Sequence, residues 1–127
     1  MSHRRRVFLS ILAGLVAMSA SLMAHHAGSL YDRDHPVTIV GEVVSYEFIN
    51  PHTRITIDVK DAQGNIVKWV AESAPPQRLY RAGWKTDTLK KGDKVTVVGS
   101  PMKDGSKFLS VRTLTGPDGK VLKQGAE

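Results

Sequence analysis

The 127-residue chain contains no cysteine, and aromatic residues make up only 6% of it. The first absence removes disulfide frameworks, thiolate zinc sites, iron–sulfur clusters, covalently attached c-type haem and cysteine nucleophiles together. Any metal here must be held by nitrogen and oxygen. Also missing are a nucleophile elbow, a glycine-rich phosphate loop, a paired-carboxylate spacing and a metalloprotease helix, so nothing indicates an enzyme. The apolar run from Val7 to Val16 falls short of the about 20 residues that a membrane-spanning helix needs. Length limits the chain to one small domain, since useful cores come at about 100–150 residues.

What is present begins with a basic cluster, His3, Arg4, Arg5 and Arg6, followed by that short apolar run and by small residues ending at Ala24. This is the layout of an export signal helix over residues 1–24, with cleavage after Ala24 and, as the alternative, after Ala20. Arg5-Arg6-Val7-Phe8-Leu9 resembles the twin-arginine pattern, although Arg4 and Ser10 depart from it, so that route and the general secretory route both stay open. The expected location is periplasmic, with no membrane attachment once the signal is cut. Removal of residues 1–24 takes three arginines and no acid from the formal charge of +6, which leaves +3. Half of the basicity therefore belongs to the leader, and nucleic acid is not an expected partner.

After a histidine-containing arm at residues 25–36, the sequence reads as strands. Val37 to Ile49 is rich in Val, Ile, Tyr and Phe, with Gly41 where a barrel strand bends. Ile55, Ile57 and Val59 alternate with polar neighbours, Asp61 to Asn65 closes a hairpin, and Val67, Trp69 and Ala71 form its second arm. Pro75 and Pro76 open one short helix that Gly83 ends. Strands follow at Lys94–Gly99 and Phe108–Thr115, and Gly116 to Gly119 adds a last short hairpin. Three strands, a helix and two or three strands predict an all-β, OB-like barrel of five to six strands over residues 37–123, with a tail at 124–127. Another small barrel or sandwich is the competing fold.

Three of the four remaining histidines, His25, His26 and His35, crowd the arm, and His52 follows Asn50-Pro51 at the turn between the first two strands. If His25 becomes the first residue, its amine and imidazole can chelate one ion, with His26, His35 or His52 completing a nitrogen set. Such a set suits copper; zinc would recruit a carboxylate such as Asp32 or Asp34. The plainer alternative is a solvated tail. Tyr46 and Trp84, with Arg81, are candidates for a ligand groove on the barrel, although aromatics in so small a core also simply pack. Arg78, Arg81, Lys85, Lys90, Lys91 and Lys94 make the middle of the chain basic, which fits an anionic headgroup, glycan or partner, or a solvated face.

Several of these segments together resemble a known family. Ala24-His25-His26, Tyr31-Asp32, Pro36-Val37-Thr38, Gly41-Glu42-Val43, Asn50-Pro51-His52, Arg81-Ala82-Gly83-Trp84-Lys85 and Leu89-Lys90-Lys91-Gly92-Asp93 resemble the small exported bacterial proteins catalogued as domain of unknown function 6152. The similarity runs from His25 to about Leu122, with departures at Ala27 and at Thr53-Arg54. It implies a periplasmic β-rich domain and a motif set pairing His25 and His26 with Asn50, Pro51 and His52.

Two expectations follow. The first is a non-enzymatic binding protein holding a transition metal, copper before zinc, through His25, His26, His35 and His52, with Asn50 hydrogen-bonding behind them. The second is a metal-free barrel whose groove takes a small ligand or a periplasmic protein partner. Oligomeric state is left open by the sequence.

Overall fold

The computed structural model describes residues 30–125, and the fold below is that of the unit Tyr31–Glu127. The export signal expected over residues 1–24, with His25 and His26, lies outside the described residues. Six strands and one helix run in the order β1 (Val37–Glu47), β2 (Arg54–Lys60), β3 (Ile66–Glu72), α1 (Pro76–Arg81), β4 (Lys94–Pro101), β5 (Phe108–Thr115) and β6 (Val121–Leu122). β1, β2 and β3 form an antiparallel meander, β4 returns to the other edge of β1, and β5 pairs with β4. A parallel pairing of Val70, Ala71 and Glu72 with Phe108, Leu109 and Ser110 closes the five strands into a barrel. Closure leaves no open edge between β3 and β5 there. β6 adds to the end of β5 as an extra strand. This is the expected OB-like barrel with one short helix.

Alternation builds the core. Ile39 and Val43 on β1, Ile55 and Ile57 on β2, and Val95 and Val97 on β4 point inward, two residues apart on the last two strands. Gly41 is required where β1 passes β2, because a Cβ there would collide with the carbonyl oxygen of Asp58. On β5 the inward residues are Leu109 and Leu114, a spacing that strict alternation forbids. A bulge supplies the odd step: Val98 pairs with Thr113 and Gly99 with Val111, so Arg112 is the extra residue. A second irregularity lies between Val43 and Ser45 on β1.

The helix starts on Pro76, where the missing N–H costs nothing, and buries only Leu79. Gly83, at φ +98°, takes the left-handed exit that a side chain would resist. The chain then drops Trp84 into the core, 1% exposed. Its indole Nε1–H donates to the carbonyl of Lys123 at 2.8 Å, and the Ser73 hydroxyl donates to the side-chain oxygen of Gln124. These two bonds hold the C-terminal segment beyond β6 against the barrel.

Candidate functional site

The expected groove residues separate. Trp84 is a core residue and presents no surface to a ligand. Tyr46 packs between Phe48 and Trp84, with ring centroids 5.9 and 6.3 Å away, and donates its hydroxyl to the carbonyl of Lys85 at 2.9 Å. Burial pushes that hydroxyl well above the ordinary tyrosine range. Chemistry alone groups both aromatics with Arg81. The core claims the Trp84 ring and packs the half-buried Tyr46 ring against it, because these rings carry large apolar surfaces that a small core can use.

Arg81 does line a cleft. It is a depression of about 1020 Å³ bounded by α1, by the bulged part of β5, by the segment after β6 and by Tyr31 and Arg33 of the N-terminal segment. Its cations are Arg33, Arg78, Arg81, Arg112 and Lys123, and among the described residues no carboxylate lines it. None of these five belongs to the ion pairs found among the described residues. Arg112 is held in place: its Nε donates to Ser100 Oγ at 3.0 Å, and its guanidinium also donates to the carbonyl of Arg33. The bulge is what turns this side chain outward between two inward leucines.

A smaller recess of about 290 Å³ shares Arg78, Ser110, Val111 and Gln124 with the cleft and reaches His52 and Glu72. Here register does the assembly. β2 and β3 pair Arg54 with Glu72, and His52 sits two residues before Arg54. His52 Nδ1 lies 3.4 Å from Glu72 Oε1, and Arg54 Nε lies 3.6 Å from the other carboxylate oxygen. Tyr31 donates its hydroxyl to Glu72 Oε1 at 3.5 Å, a position set by the bridge between Tyr31 and Met102. Burial first, then the neighbouring Glu72 carboxylate, raise the Tyr31 hydroxyl above its usual range.

His35 has a similar neighbour: its Nδ1 lies 3.0 Å from Asp32 Oδ2. The hydrogen bond from His35 holds the Asp32 carboxyl below the usual carboxylate range. Both described histidines thus meet a carboxylate at Nδ1, the arrangement common behind metal-bound imidazoles. Asn50 is exposed on its turn, and the group facing the His52 ring is Glu72. Among the described residues, no group of three or more His, Cys, Asp or Glu side chains is placed around one ion.

The residues that sequence reasoning missed are Glu72, Tyr31, Arg33, Arg112 and Lys123. Glu72 was within reach of it, because the hairpin at Asp61 to Asn65 fixes the register that sets Glu72 opposite Arg54. Arg112 was not, because nothing in the residues of β5 marks the bulge.

No curated protein and no solved structure matches the chain. A family model, described as a family of unknown function (DUF6152), matches residues 13–110, and the chain belongs to that family.

Proposed function

We propose that the domain is a non-catalytic binding module of an exported, periplasmic protein and takes an anionic ligand in the arginine-lined cleft. One observation carries this: five cations from four chain segments converge on a cleft that, among the described residues, no carboxylate lines. Assembling like charges in one depression is unfavourable unless a ligand answers them. Each charge-assisted hydrogen bond to such a ligand contributes about 1.5–3 kcal/mol.

Thermal melts at matched ionic strength test it. Phosphate or sulfate should raise the midpoint where chloride does not, by the equivalent of about 2.7 kcal/mol at a hundred times the dissociation constant. The double variant Arg78→Gln, Arg112→Gln should lose that rise. An equal rise in the variant would refute the proposal.

A transition-metal ion, copper before zinc, is the second candidate, favoured by the carboxylate that faces Nδ1 of His52 and leaves Nε2 as the donor. Titration with Cu(II) should show tight binding that falls at least tenfold in His52→Ala. Binding that is weak and equal in both proteins excludes it.

A further inference from the structure

Resting on the anionic-ligand proposal above, we infer that the cleft is built for a diphosphate group rather than for a single phosphate or a carboxylate. Charge, hydrogen-bonding capacity and size all point the same way. Arg33, Arg78, Arg81, Arg112 and Lys123 supply five positive charges, with no carboxylate among the described residues of the lining to offset them. A monoanion would leave most of that repulsion standing, whereas a diphosphate brings about three negative charges near neutrality, its later ionisations falling near the pKa of about 6 typical of phosphate esters. Four of the five cations are arginines, whose planar forks each grip two oxygens of one phosphoryl group. A carboxylate has only two oxygens and is satisfied by one such fork; a diphosphate offers enough acceptors for several.

The cations are also distributed. Arg112 is fixed near Arg33 by its bond to that residue's carbonyl, and Ser100 beside it keeps its own hydroxyl proton to donate. Arg78 and Arg81 come from α1, and only Arg78 of the five cations reaches both the cleft and the recess holding His52. A ligand with two phosphoryl groups offers acceptors to more of these cations than a single phosphate does. At about 1020 Å³, the cleft is at the upper end of the about 300–1,000 Å³ range of small-molecule sites, so it holds more than an inorganic ion. Val111 and Leu122 give it apolar wall as well. The diphosphate can therefore be free or the head of a lipid-linked molecule, and the two sources share the chemistry that the arginines recognise.

Calorimetric titration of the full chain at low ionic strength, without divalent metal, separates the cases. Pyrophosphate should bind at least tenfold more tightly than orthophosphate or succinate. Arg112→Gln and Arg78→Gln should each weaken it at least tenfold, and Lys91→Gln, on an exposed loop outside the cleft, should leave it unchanged. Farnesyl diphosphate distinguishes the sources: tenfold tighter binding than pyrophosphate assigns a lipid-linked diphosphate, and equal binding assigns a free one. Pyrophosphate binding no tighter than orthophosphate or succinate, yet still lost in Arg112→Gln, overturns the diphosphate assignment and leaves the anionic cleft standing. Equal weakening by Lys91→Gln overturns it too, as unspecific charge attraction. If none of these anions binds the native chain, the anionic cleft itself falls.

Discussion

Trp84 does two jobs that can be measured apart. Its indole fills the core at 1% exposure, and its N–H donates to the carbonyl of Lys123, which holds the C-terminal segment. Replacing it by Ala removes both and should cost about 3–5 kcal/mol. In a domain of about 100 residues each kcal/mol moves the melting midpoint about 4–8 °C, so a fall of at least about 12 °C is expected. Trp84→Phe keeps an aromatic ring but deletes the donor, and the hydrogen-bond part of its cost should be about 0.5–1.5 kcal/mol. A thermodynamic cycle isolates that part: the substitution is made in the full chain and in a chain ending at Leu122, where the acceptor is gone. Urea unfolding followed by circular dichroism gives the four free energies. The cost of Trp84→Phe should be smaller in the shortened chain by the value of the bond. Equal costs in both backgrounds would show that the indole N–H does not secure the segment, and that packing alone explains the residue.

Tyr46 should titrate late: its absorbance change on ionisation should come well above the pH of about 10 at which a free tyrosine ionises. Because its folded pKa is raised, its contribution to stability is full below the unfolded pKa and is lost as pH rises through the folded one, so alkaline unfolding should be blunted in Tyr46→Phe. Titration at the ordinary tyrosine pH would contradict its burial. Gly41→Ala should destabilise by about 1–3 kcal/mol, measured by denaturant midpoint, since the added methyl meets the Asp58 carbonyl and lies 2.8 Å from Ile57 Cγ2. An unchanged midpoint would mean that β1 and β2 separate there at no cost.

The barrel was legible because its signals are local. Alternation in Arg54–Lys60 and Ile66–Glu72, a turn between them, a proline pair at the start of a short helix and Gly83 just after it each act within a few residues. The cleft was legible only in part. Arg78 and Arg81 stand out as neighbours on one short helix, but Arg33, Arg112 and Lys123 reach the same place from distant parts of the chain. The closure of β3 on β5, the bridge from Tyr31 to Met102 and the return of the C-terminal segment bring them there. Trp84 and Tyr46 were ambiguous for another reason: an aromatic ring has the same chemistry in a groove and in a core, and only packing decides which it joins. His52 stood out through its Asn-Pro-His motif, whereas the carboxylate facing it depends on a partner on another strand.

The unpaired position at Arg112 gives β5 an unusual vulnerability. A conservative replacement there would trim a charge and leave the architecture alone. Deleting the position would instead restore a regular pleat, rotate one of Leu109 and Leu114 out to water and pull the cleft's best-anchored cation away with it. The cleft's charge and the hydrophobic interior are thus coupled through the number of residues in a single strand, so β5 should accept changes of side chain far more readily than changes of length.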